Sequence, residues 1–341
     1  MLTQPADLSE DAIAAALTAR WDLRVVALSY QAVGFGSHHW LATGAGGDQL
    51  FVTVDDLRDR QRGPDDSLDT AFAGLARAFG SALSLRRDAG LEFVLAPRPA
   101  ADGAVVHRLT DRYSLVVHPY LADCEPGHDD GFRSSTDRQA VLDLVIAVHG
   151  ASATPPPVCD FALPGEADLI AALRSTGETW NRGPYGPPAR DLLARHAAGL
   201  TVIMQAYREL AGRVRARPER QVITHGEPSS GNVLRTPAGW VIVDWESALL
   251  APPERDLWAL AEEDPAILAA YCAGTGTEVD RDSLALHRLW YDLAEISAYL
   301  RLFREDHEQT EDCAESWQNL EYFLRPADRW PGLLPPGAKA S

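Results

Sequence analysis

Residues 221–258 read QVITHGEPSSGNVLRTPAGWVIVDWESALLAPPERDLW. A short apolar strand, Val222–Thr224, leads into a polar loop that carries His225, Glu227 and Asn232. A Val-Leu strand, a Pro-Ala-Gly turn at 237–239 and a second strand, Trp240–Val243, follow and stop at Asp244. A turn between two short strands brings their far ends together. Asn232, just before the first strand, and Asp244, at the end of the second, are therefore expected to face each other, with Glu227 in the loop beside them. Two carboxylates and a carboxamide around one gap make a hard oxygen cage suited to Mg2+.

Composition bounds what can surround this cage. The 341 residues exceed what one hydrophobic core usually serves, so two lobes are expected. With 46% hydrophobic residues and both signs of charge mixed in, the chain reads as soluble and globular. Its start, MLTQPADLSEDAIAAAL, lacks a basic segment followed by an apolar one, so no signal peptide is expected. No run of apolar residues is long enough to span a membrane. Cys124, Cys159, Cys272 and Cys313 lie far apart, which suits reduced thiols in a cytoplasm and no zinc site. A formal net charge of −18 repels nucleic acid and favours cationic or neutral small partners, although it also serves as a solubilising surface. Lys339 is the only lysine; the other basic residues are all arginine.

HGEPSSGN at 225–232, followed by VDWE at 243–246, resembles the catalytic and metal segments of the aminoglycoside phosphotransferase family. These are small-molecule kinases in which the pattern usually runs H-G-D-x-x-x-x-N and then I-D-W/F. The likeness in element order extends over nearly the whole chain. It implies an α+β, protein-kinase-like bilobal fold with a small antiparallel-sheet N-lobe and a mainly α-helical C-lobe. The lobes would be a nucleotide-binding one at 1–118, a hinge at 119–122 and a catalytic and substrate-binding one at 123–330, with a tail at 331–341. It implies ATP and Mg2+ as cofactors, with Asn232 and Asp244 as metal ligands. Glu227 stands where the family has its catalytic aspartate, and Asp256 where an aspartate accepts hydrogen bonds from the catalytic loop. The bland readings are Asx turn caps for Asn232 and Asp244 and a helix-terminus charge for Asp256.

Upstream, residues 8–20 read as a helix capped by Ser9, and Arg24–Gln31 as a strand. VGFGSHHW at 33–40 then places two glycines between strand-like runs. By itself this is an ordinary hairpin turn; with the later motif it reads as the loop that covers nucleotide phosphates, giving Gly34, Gly36, Ser37 and His38 as cofactor-binding residues. In the third strand, QLFVTV (49–54), the family's phosphate-binding lysine is replaced by Thr53. The following helix, Ser67–Arg87, contains no glutamate, so both partners of the usual ion pair are missing together. Arg58, Arg60 and Arg62 are nearby cations that could neutralise phosphate instead. AVVHRL (104–109) and YSLVVHPYL (113–121) form a hairpin that runs into the hinge, where Tyr120 and Leu121 are expected to meet adenine.

The texture then turns helical. Residues 123–136 read as a loop, 155–161 as a linker and 180–188 as a loop with exposed aromatics. Helices are expected at 137–149, 166–178, 188–217, 255–263, 264–273, 281–306 and 311–324. Asp292 and Glu295 are candidate partners for substrate amines, against plain surface solvation.

The resulting expectation is an ATP- and Mg2+-dependent O-phosphotransferase acting on a small-molecule hydroxyl, foremost that of an aminoglycoside, aminocyclitol or other natural-product antibiotic. The alternatives are a kinase of a primary metabolite and a non-catalytic, nucleotide-binding pseudokinase. The partner is a small molecule, with no nucleic acid and no membrane.

Overall fold

The computed structural model describes residues 1–61, 66–126, 132–217, 220–261, 264–330 and 332–333. In chain order it opens with α1 (Glu10–Trp21), β1 (Val25–Gln31), β2 (His38–Gly44), β3 (Gln49–Asp56) and α2 (Leu68–Arg87). There follow β4 (Val106–Arg108), β5 (Tyr113–Pro119), β6 (Glu125–Pro126), α3 (Ser135–His149), α4 (Glu166–Arg174) and α5 (Gly186–Arg215). The 221–258 stretch supplies β7 (Val222–Thr224), β8 (Val233–Thr236), β9 (Gly239–Ile242) and β10 (Leu249–Ala251), and opens α6 (Glu254–Ala261). The chain ends in α7 (Ala266–Thr275), α8 (Arg281–Arg304), α9 (Glu311–Phe323) and α10 (Pro326–Arg329).

These elements form two compact units. The first comprises the described residues of Met1–Gln61, Ser67–Asp160 and Glu219–Asp280. At its centre is an antiparallel sheet in the order β1-β2-β3-β5-β4. Alternation along the strands sends Trp40, Ala42, Leu50, Val52, Val54, Leu115 and Val117 to one face, where Ile13, Leu17 and Trp21 of α1 cover them. The opposite face is polar yet buried: His39, Thr53, Asp55, Ser114 and His118 lie there. Phe79 of α2 closes part of that face, its ring edge-on to His118 at 5.5 Å. The N-terminus of α2 is fixed by Ser67, whose hydroxyl accepts from the Thr70 N–H. Two small sheets, β10-β7 and β6-β8-β9, carry the 221–258 stretch. Ile242 of β9 also bonds to the segment behind α2, donating to Phe93 O and accepting from Leu95 N–H.

The second unit comprises the described residues of Phe161–Pro218 and Arg281–Ser341, with Arg62–Asp66. It is built on α5 and α8. Leu193, Leu200, Ile203 and Tyr207 from α5 are buried, as are Leu286, Leu289, Leu293, Ile296 and Leu300 from α8. The Tyr207 hydroxyl donates to the Phe161 carbonyl, so the one polar atom of that ring is satisfied inside.

The α+β class is the one expected. Three local readings need correction. Trp180, expected to be exposed, is buried and donates to Ser175 O. β6 lies within the segment read as a loop, and β10 was not foreseen. Strands this short carry no alternation of their own and exist because β8 and β7 pair with them. Arg62, Lys339 and the end of the helix read at 255–263 lie outside the described residues. Among those described, no helix is long and apolar enough to cross a membrane.

Leu17 is fully buried in the α1 face of the sheet. Leu17→Ala is expected to destabilise the protein by about 2–5 kcal/mol, read as a lower urea midpoint with an unchanged slope.

Candidate active site

The loop between β7 and β8 is organised by one buried carboxylate. Asp256, in the first turn of α6, accepts from the backbone N–H of His225 (3.0 Å) and of Gly226 (2.6 Å) and from His149 Nε2 (3.0 Å). It has no exposure. Burial alone would raise its carboxyl, but the His149 bond and the nearby Arg255 hold it below the usual carboxylate range. Gly226 has φ +112, and a Cβ there would fall 2.4 Å from the Arg255 guanidinium. Only glycine meets both constraints. Arg255 in turn donates to Thr224 Oγ1 and to Ser247 O, and Ser247 Oγ donates to His225 O.

His225 is the second brace. The Glu227 N–H donates to its Nδ1 at 3.2 Å, which assigns the ring proton to Nε2, and Nε2 donates to Val243 O at 2.6 Å. Burial lowers its pKa and keeps the ring neutral, and the Trp245 indole stands edge-on to it at 4.8 Å. The imidazole thus fastens the Glu227 loop to the β9 end and leaves no proton for chemistry.

The hairpin register pairs Val233 with Ile242, and Val243 N–H donates to Asn232 O at 3.0 Å. Asn232 therefore sits one residue away from Asp244 across the ladder, and its Nδ2 donates to Glu227 O at 2.9 Å. Asp244 is left-handed, φ +61, a conformation uncommon for a residue with a side chain. The protein packed around its solvent-reaching carboxylate, together with the carboxylates of Glu246, Glu227 and Asp55, pushes it up to about 7 against the pull of Arg60.

Such an excess of acids around one carboxylate is the chemistry a hard divalent cation relieves, so these residues fit Mg2+. Among the described residues, no cluster of three or more His, Cys, Asp and Glu side chains could hold a metal by itself.

The glycine loop lies at one end of the polar sheet face. Gly34 (φ +69) and Gly36 (φ +86) are both left-handed and exposed. Ser37 is buried, and its hydroxyl donates to Asp55 Oδ1 at 2.9 Å. Arg60, in the turn after β3, donates to that same oxygen through Nε (3.1 Å) and Nη2 (2.5 Å), and to Ser37 Oγ (2.8 Å). Its Nη1 lies 3.7 Å from Glu246 Oε1. Thr53 meets His39 Nδ1 at 3.3 Å.

His38, expected among the cofactor-binding residues, points its side chain away from the polar sheet face. It is turned to the α1 face, its Nδ1 at 3.2 Å from the Tyr30 hydroxyl and its ring beside Trp40. Strand alternation makes His39 the inward imidazole. Tyr120 and Leu121 follow directly on β5, Tyr120 exposed and Leu121 half-buried. Asp292 is buried and already engaged by Arg329 (2.6 and 2.8 Å) and by Trp330 Nε1 (2.8 Å), and Glu295 accepts from the Tyr299 hydroxyl. Neither carboxylate is an idle amine acceptor.

The helices, the sheet with its glycine loop and the acid-lined hairpin make up an α+β, protein-kinase-like fold. A spectinomycin phosphotransferase solved with ADP and spectinomycin shares that fold at TM-score 0.69 and 14% identity, covering 96% of this chain and 100% of that one. An amicoumacin kinase solved with AMP-PNP and Ca2+ does so at TM-score 0.58 and 14% identity, with 96% of each chain covered. In sequence, the protein StrN of Streptomyces griseus is 32% identical over 253 residues, covering 70% of this chain and 74% of StrN. Residues 44–287 match the phosphotransferase enzyme family, and the chain belongs to it. The activity that membership implies is phosphoryl transfer to a hydroxyl acceptor.

Two outcomes follow from this geometry. Asp256→Ala leaves two backbone N–H groups and His149 without their acceptor and is expected to cost about 3–5 kcal/mol, checked by urea unfolding. Burial also lowers His39 to about 3 and His118 to about 4. In the unfolded chain each would protonate near 6.5, at about the ordinary histidine value. Their contribution to stability is therefore complete above that pH and is lost as pH falls toward 4. His118→Gln is expected to lessen the fall in urea midpoint between pH 7 and pH 5.

Proposed function

We propose that the protein is an ATP- and Mg2+-dependent O-phosphotransferase whose substrate is an aminoglycoside, aminocyclitol or related natural-product antibiotic. The observation that carries this reading is the pinned loop and hairpin, which set Glu227 and Asn232 beside the acid-crowded Asp244. The ligands in the related structures, ADP with spectinomycin and AMP-PNP with Ca2+, support the nucleotide and the substrate class. A net charge of −18 favours an amine-bearing substrate.

In this reading Asp244 and Asn232 hold the metal, which when bound neutralises the nucleotide phosphates. Glu227 accepts the proton of the substrate hydroxyl through its carboxylate. The Asp256 bonds to His225 and Gly226 fix the backbone from which that side chain projects. The N–H groups of the loop with Gly34, Gly36 and Ser37 face the phosphates, and the segment with Tyr120 and Leu121 meets the adenine. The corresponding lobes are 1–118 and 123–330, hinged at 119–122, with the enzyme working in the cytoplasm.

A second reading, a nucleotide-binding pseudokinase, is favoured by Thr53, which faces an uncharged His39 where the family has a lysine. Mass spectrometry of an antibiotic and metabolite panel incubated with enzyme, ATP and Mg2+ separates the two. A substrate heavier by one phosphoryl group is expected, with the product lost in Asp244→Ala. Glu227→Gln should lower turnover about 10²–10⁴-fold while ATP still binds. ATP binding with no phosphorylated product from any compound would favour the pseudokinase.

A further inference from the structure

The lysine–glutamate pair missing from β3 and α2 leaves the phosphates of a bound nucleotide without their usual cation. Position 53 cannot supply one, because Thr53 is buried against a neutral His39. Of the three arginines that follow β3, Arg62 lies outside the described residues. Arg58 is exposed, and its charge is felt by Asp7, which bonds to Tyr113 and Arg112. Arg60 turns the other way. Its guanidinium folds back onto the polar sheet face and touches Ser37 of the glycine loop, Asp55 of β3 and Glu246 beside Asp244.

Asp55 stands two residues beyond Thr53 and so on the same face. Its side chain is 1% exposed, against 24% for Arg60. Both contacting nitrogens of Arg60 rest on Oδ1, and Oδ2 is buried with no hydrogen-bond partner among the described residues. A two-oxygen fork would saturate the guanidinium. Among the described residues, this one-oxygen contact leaves Nη1 with only the 3.7 Å approach to Glu246, too long for a hydrogen bond. A half-desolvated ion pair contributes little to stability. What this one achieves is a cation held beside the glycine loop with donors to spare.

We propose that Arg60 is the cation that contacts the nucleotide phosphates, presented by Asp55 and Ser37. The polarity of the usual arrangement is thereby reversed: the strand supplies the anion and the turn after it supplies the cation. This inference rests on the kinase reading above.

Calorimetric titration with MgATP, MgADP and adenosine tests it on wild type, Arg60→Ala, Arg60→Lys and the Asp55→Asn/Arg60→Ala double variant. The double variant avoids leaving an unpaired buried carboxylate should Arg60→Ala fold poorly. Removing Arg60 is expected to weaken MgATP and MgADP about 10–100-fold, the range for hydrogen bonds to a charged group, with adenosine unaffected. Arg60→Lys should recover part of the loss, since it restores the charge without the planar fork. MgATP binding as tight in the double variant as in wild type overturns the proposal, as does an equal loss for adenosine. A wild-type protein that binds no MgATP overturns the kinase reading itself, and this inference with it.

Discussion

The site depends on a carboxylate that touches no substrate. Asp256 is fully buried and accepts two successive backbone N–H groups and an imidazole N–H. These bonds convert the loop after β7 from an exposed connection into a fixed ledge. An anion can be buried this deeply because the His149 bond and the nearby Arg255 favour its charged form, which keeps its pKa low despite desolvation. The tightness of the ledge then demands Gly226, since Arg255 occupies the space a side chain would need. From this ledge Glu227 projects, and through His225 it is tied to the strand end that carries Asp244.

The electrostatics of the site follow from that rigidity. Fixed elements hold Asp244, Glu246, Glu227 and Asp55 close enough to feel one another, and a free chain would spread such charges apart. The repulsion is stored, as is the left-handed backbone at Asp244. Arg60 is the counter-charge the fold provides, and it comes from a turn, where its position depends on its ion pairs and not on a strand register.

Much of this was legible in the sequence. The hairpin around Pro237–Gly239 sets the Asn232–Asp244 approach by local geometry alone, and the apolar stripe of α5 needs only its 3.6-residue period. The α+β class came with the resemblance carried by residues 225–232 and 243–246. The structure adds what depends on a partner distant in sequence. β10 exists because β7 is beside it, and Asp256 reaches His149 from 107 positions away. His38 and His39 are adjacent and chemically alike, so choosing the inward one requires the strand's phase. That phase is visible in Leu50, Val52 and Val54 of the neighbouring strand, not in the histidines themselves. Asp55 could have been found from the same alternation, two positions past Thr53, but an aspartate at a strand end resembles a turn signal. Asp292 looked available because sequence shows a charge and not the Arg329 that covers it.

The replacement of the strand lysine by Thr53 reaches beyond catalysis into how such an enzyme can be noticed at all. Reactive nucleotide analogues that acylate an amine beside the phosphates identify kinases by the lysine they modify. This chain has a single lysine, at 339, and offers no amine on β3 for such a reagent to reach. A reagent aimed at a lysine of this strand finds none to modify here. Guanidinium-directed or photochemical capture would be needed to see the enzyme.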